Sequence, residues 1–240
     1  MKCWASTLGD CAYGMSREHY VSDGIFDGES ITAFGLEWCR DEPRTIALKR
    51  AVAKILCAKH NSALSDFDGE AARLSKFLVS EVYLQPTVEA SIKINGHLLE
   101  KWALKTFLNL GYLRALHRDQ SNPIEPPDSL IRYLYCNATI PDGVGLYHVS
   151  NSIGASNLDA GVSWNVIRTV DQPNRVVGLT FVFYGVRFAI VTEPGRAEGK
   201  IQGMGLVGEF NFSKSEVAYR PTSISFLGSS AARKHIELEW

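Results

Sequence analysis

Two short stretches hold side chains that could do chemistry together. Ser16-Arg17-Glu18-His19-Tyr20 sets a carboxylate beside an imidazole, and Cys57-Ala58-Lys59-His60-Asn61-Ser62 sets a thiol and a second imidazole against a carboxamide. An imidazole titrates near neutral pH and can take a proton from water. Carboxylate and carboxamide oxygens suit a hard divalent cation. Cys57-x2-His60 suits half of a tetrahedral zinc site, which needs four sulfur or nitrogen ligands, normally as two close pairs. Cys3 and Cys11 lie upstream of Glu18-His19 and would supply the other half, with seven residues between them. Four candidate zinc ligands thus bracket one acid–base pair.

Each of these residues also has a plainer use. Cys57 could be a buried thiol and His60 a residue of a helix start, and His19 could be a loop imidazole beside a chance acid. Cys39 is a substitute ligand, whereas Cys136, in an apolar stretch, reads as a core thiol. Asp66 and Asp68 could be extra metal oxygens, but better suit the start of a helix, where the dipole favours anions. His97, His117, His148 and His235 have no partner pattern.

The elements that must position these groups follow from periodicity. Residues 1–29 carry few apolar side chains and many Gly, Ser and Asp, which predicts a loop held by a metal and not by a core. Residues 31–38 and 44–52 read as two strands turning at Asp41-Glu42-Pro43, with a helix over 45–58 as the rival. Ala71, Leu74, Phe77, Leu78 and Val82 predict a helix that Ser65 or Asp68 caps and Pro86 ends. Residues 88–94 alternate like a strand up to Asn95-Gly96, and 97–116 read as a second long helix with Trp102 in its core face. Residues 119–128 contain three prolines and read as a linker, after which Asp128 caps a short helix over 129–136. From Val144 onward, apolar runs broken by Gly, Pro and Asn predict an antiparallel sheet. Tyr147, Trp164 and Tyr184 read there as packing residues, not as platforms for stacked bases.

Glu18-His19 after a Cys-containing loop, then Cys57-x2-His60-Asn61 and a helix about forty residues later, resembles the HNH, or His-Me finger, endonuclease family over roughly residues 1–80. The resemblance implies a zinc-stapled, treble-clef-like ββα core in residues 1–84, followed by an α+β region in 85–240. It also implies structural Zn2+ on Cys3, Cys11, Cys57 and His60. His19 would be the general base for phosphodiester hydrolysis in DNA or RNA, and Glu18 and Asn61 would help hold Mg2+ or Mn2+. The chain departs from the family pattern at four places. Ser6 stands where a second early Cys is usual, and Val52 where a middle Asn is usual. No Pro follows Glu18-His19, and Ser62-Ala63-Leu64-Ser65-Asp66 replaces a basic run. A non-catalytic zinc-stapled adaptor for nucleic acid or protein is the alternative. The sequence after residue 85 is similar to extensions on some bacterial and phage HNH-like proteins, with a protein partner or self-association as further expectations.

Composition excludes other classes. The chain has 240 residues, 45% of them hydrophobic and 21% charged, a net charge of −1 and no strongly basic balance overall. Residues 40–59 nonetheless carry six bases against two acids, a local excess that suits a polyanion. No apolar leader or membrane-length run is present, so a cytoplasmic protein without membrane contact is expected. No Walker loop, Gly-x-Ser-x-Gly elbow or dinucleotide fingerprint occurs.

Overall fold

The part of the chain that holds both chemical stretches is built from four short strands and the turn that follows them. Strand β1 (Met15–His19) falls inside the segment expected to be all loop. Strands β2 (Ser30–Ala33) and β3 (Arg44–Ala47) form the expected antiparallel hairpin, and the rival helix does not form. The second run is not one strand to residue 52. A single 3-10 turn at Leu48–Arg50 breaks it, with Ala51 N–H donating to the Leu48 carbonyl at 2.9 Å. The chain then re-enters as β4 (Val52–Cys57), which pairs antiparallel with β1, Met15 opposite Cys57 and His19 opposite Val52. The computed structural model describes residues 2–33, 39, 41–84, 88–114, 116, 125–141, 143–151, 162–168, 175–193, 216–227 and 232–240.

Helix α1 (Ala58–Ser62) starts directly at the end of β4, and α2 (Ser65–Phe77) runs on into a π-helical segment, Leu78–Leu84. Neither Ser65 nor Asp68 caps α2; Leu64 precedes it without a side-chain cap. Pro86 and residues 119–124 of the expected linker lie outside the described residues. Strand β5 (Ala90–Asn95) leads into α3 (Gly96–Tyr112). Asn95 does more than end the strand, because its side chain accepts the Leu98 N–H at 3.0 Å and caps the helix. Helix α4 (Asp128–Cys136) follows, with Asp128 as its first residue, accepting from Arg132 Nε at 2.6 Å.

Strands β6 (Gly145–Asn151), β7 (Val162–Arg168), β8 (Val176–Phe183), β9 (Val186–Val191) and β10 (Glu216–Tyr219) form the expected antiparallel sheet, ordered β10-β6-β9-β8-β7. The end of the chain behaves differently. Strand β12 (Arg233–Glu239) pairs antiparallel with β11 (Ser223–Leu227) but parallel with β5, so the last strand joins the middle of the chain. The molecule is thus a mixed α+β structure with several sheets.

Helix α3 is its axle. Every residue from Leu99 to Tyr112 except Lys101 is buried, the polar Glu100, Lys105, Thr106 and Asn109 included, so more than one face of the helix is covered. Trp102 packs against Phe181 and Phe183 of β8, each ring centroid 5.2 Å away. One hydrophobic cluster runs from Cys3 to Leu238, continuous across residue 84. Buried polar groups on α3 are satisfied: Glu100 accepts from Tyr133 Oη and from Leu146 N–H at 2.9 Å, and pairs with Arg220 at 3.2 Å. No helix among the described residues is long and apolar enough to cross a membrane.

Strands β8 and β9 approach so closely at Gly178 that an added Cβ would lie 2.0 Å from the Ile190 carbonyl oxygen. Gly178→Ala is therefore expected to cost more than about 2 kcal/mol in urea unfolding, through backbone displacement in the sheet.

Candidate functional site

The loop before β1 and the start of α1 meet at four donor atoms. Cys57 is the last residue of β4 and precedes α1 with extended backbone, so its side chain and that of His60, one helical turn on, face the same way. Cys3 is brought to them because Trp4 N–H donates to the Ile55 carbonyl of β4 at 3.0 Å. Cys11 is brought by two further bonds, Ala58 N–H to the Gly14 carbonyl (2.8 Å) and Lys59 N–H to the Ala12 carbonyl (3.4 Å). Tyr13 and Gly14, with φ of 64° and 72°, reverse the chain just after Cys11.

His60 Nδ1 lies 3.2 Å from Cys57 Sγ, 3.4 Å from Cys3 Sγ and 3.7 Å from Cys11 Sγ. All four donor atoms fall within 4.8 Å of one another. A tetrahedral zinc with bonds of about 2.3 Å to sulfur and about 2.0 Å to nitrogen sets neighbouring donors about 3.5 Å apart. The donor set therefore fits a zinc ion in chemistry and in spacing, with Cys11 filling the place of the absent closer cysteine. Cys39 is buried in the core and does not belong to the group, and Cys136 is exposed at the end of α4 where a core thiol was expected.

The second ring nitrogen of His60 points to a residue the sequence reading passed over. His60 Nε2 is 2.9 Å from Asp10 Oδ1, the carboxylate–imidazole contact that fixes the tautomer and aim of a metal-binding histidine. Lys59 bonds the other Asp10 oxygen, and this bond, before that of His60, holds the Asp10 carboxyl below its usual range. Tyr135 Oη donates to the His60 carbonyl at 3.2 Å, and its ring lies edge-on to the imidazole. A cleft of about 240 Å³ lined by Asp10, Lys59, His60, Arg132 and Tyr135 adjoins the group.

The thiols differ in acidity. Loss of water pushes Cys11 up to about 12 and also raises Cys3, Cys3 being the main neighbour acting on Cys11. Burial would raise Cys57 as well, but hydrogen bonds from the His60 and Ala12 backbone and from the other two thiols outweigh it and lower its pKa. The Cys57 proton is thus the easiest of the three to lose, and Cys3 and Cys11 must also give up protons if a metal is to bind.

The three expected catalytic residues lie around one strand end. Asn61 Nδ2 donates to the Arg17 carbonyl at 3.1 Å, which anchors α1 on β1 two residues from His19. His19 is half-buried; its Nε2 has no hydrogen-bond partner and lies 3.9 Å from Asp23 Oδ2. Glu18 faces inward. Its Oε1 pairs with Lys105 Nζ at 2.6 Å and accepts from Asn109 Nδ2 at 3.2 Å, both on α3. Burial pushes the Glu18 carboxyl up, and the Lys105 ammonium pulls it down. Lys105 is fully buried and also 2.6 Å from Asp68 Oδ1. Lys105 and Asn109 were missed although the signal was present: a cation and an amide, one turn apart, lie within the apolar run from Trp102 to Leu110.

No family model, curated protein or solved structure matches this chain.

Purified protein is expected to carry one zinc per chain, and Cys57→Ser to carry none, by metal analysis. Asp10→Ala should weaken zinc about 10–100-fold in chelator competition, because the ring loses its orienting carboxylate. Zinc affinity should fall steeply as pH is lowered, since at least two thiols must ionise on binding and acid opposes that.

Proposed function

We propose that the chain is a zinc-stapled endonuclease of the His-Me finger type, hydrolysing phosphodiester bonds of nucleic acid with His19 as general base. One observation carries this reading: the Cys3–Cys11–Cys57–His60 group ties the start of α1 to the β1–β4 pair, and Asn61, next to the last ligand, is bonded to the strand that ends in His19. The antiparallel β1–β4 pair, the helix α1 that follows it and the candidate metal group support the ββα reading of residues 1–80.

The local chemistry supports the same roles. An imidazole nitrogen without a hydrogen bond is costly unless a ligand completes it. At His19 that ligand is the attacking water, whose proton Nε2 takes as oxygen bonds to phosphorus and the ester oxygen leaves. Asn61 uses its amide nitrogen on Arg17 and Glu18 uses Oε1 on α3, so the amide Oδ1 and carboxylate Oε2 remain for Mg2+ or Mn2+. The cation supplies charge neutralisation on the phosphate and leaving oxygen. Arg17, Arg44, Lys49, Arg50 and Lys54 are exposed on and between the strands of this unit, and among the described residues none of them has an ion pair. Five exposed cations on this unit suit a polyanionic backbone.

Zinc-loaded protein is expected to cut plasmid or single-stranded substrate in Mg2+ or Mn2+, and His19→Ala to cut at least about 100-fold more slowly. Equal background cutting by both would leave the zinc-stapled adaptor. Binding should weaken with salt, and Arg50→Ala plus Lys54→Ala should reduce that salt slope by about two.

A further inference from the structure

The geometry points to Lys105 as a positioning residue of this centre: from a helix outside residues 1–80, it holds Glu18 by one oxygen and so sets the strand end that carries His19. The inference rests on the nuclease reading for its kinetic consequence, but its structural content stands separately.

The contacts converge on one face of α3. Lys105 Nζ bridges Glu18 Oε1 and Asp68 Oδ1, each at 2.6 Å, and is within 3.4 Å of Ser22 Oγ. Ser22 in turn donates to Asp68 and accepts from Trp102 Nε1 at 2.9 Å. One turn further along, Asn109 Nδ2 reaches both Glu18 Oε1 at 3.2 Å and the His19 carbonyl at 3.3 Å. Its Oδ1 accepts from Trp4 Nε1 at 3.1 Å, and Trp4 is the neighbour of the zinc-group residue Cys3. A single helix therefore grips the carboxylate, the backbone of the histidine and the loop of the metal group.

Packing alone does not account for a lysine here. An apolar side chain of the same length would fill the space without removing an ammonium from water. What the ammonium adds is direction. It engages Oε1, the same oxygen that Asn109 reaches, and so fixes the direction of the carboxylate. The second half of the chain, in this reading, completes the centre instead of being an appended module.

The test compares zinc-loaded full-length wild type with Lys105→Met/Asp68→Asn. This pair removes one positive and one negative charge, so the local net charge is unchanged and Glu18 is left in place, held by Asn109 alone. Glu100→Gln, on the same helix and bonded elsewhere, is the control for lost stability. The double variant is expected to retain its zinc and a cooperative melt, to lose about tenfold to hundredfold in kcat at unchanged KM, and to shift the His19 ring resonances in NMR spectra. Glu100→Gln is expected to leave kcat and those resonances as in wild type. Wild-type kcat and unshifted His19 resonances in the double variant would overturn the inference and make the pair packing only. If wild type itself cuts nothing, the nuclease reading fails, and the His19 resonances alone decide whether Lys105 positions the strand end. Should the double variant not fold, Lys105→Gln, which keeps a hydrogen-bond donor to Glu18 without the charge, is read by the same two measurements.

Discussion

Residues 2–14 bury only Cys3, Trp4 and Ala5, far too little apolar surface to offset the entropy of ordering an irregular segment. What holds this loop is hydrogen bonding, from Trp4 to Ile55 and Asn109, from Tyr112 to Lys2 and from α1 to Ala12 and Gly14, around three sulfurs and one imidazole nitrogen that could hold a metal ion at the junction of β4 and α1. Thiols crowded within hydrogen-bonding distance of one ring nitrogen repel once ionised, and a divalent ion bound there would remove that repulsion. The same junction seats Asn61, next to His60, on the strand that ends in His19.

A second constraint acts from the far side of the unit. An ammonium taken wholly out of water is destabilising by several kcal/mol unless it is paired, and Lys105 is paired twice. Losing one partner of such a group typically costs about 3–5 kcal/mol, so Glu18, Asp68 and Lys105 hold one another in place. The β1 strand thus runs between a cysteine–histidine group that could hold a metal ion at its start and a buried charge cluster at its end. Clamping at both ends is what a site needs if an imidazole is to be held at a fixed position while its neighbours bind a charged ligand.

The continuous core explains why the clamp can work at a distance. Helix α3 packs on β8 through Trp102, is locked at Glu100 to Tyr133, Leu146 and Arg220, and leans on β5, whose parallel neighbour is the last strand of the chain. Residues separated by more than a hundred positions therefore share one hydrophobic cluster around the chemical groups.

Much of this was legible in the residues themselves. The spacing Cys57-x2-His60 at the end of an apolar run determines a half-site, because one helical turn necessarily brings positions three apart to the same side. Alternation and turn residues likewise determined the β2–β3 hairpin and the late antiparallel sheet, both of which are local pairings. Tertiary structure alone decided the rest. It turned Asp10 onto His60, exposed Cys136 and set β12 beside β5. It also turned Asp68 from a helix cap into a partner of Lys105. Each of these joins residues far apart in the chain or depends on which face of an element is covered, and no local pattern encodes the direction from which a distant helix will arrive.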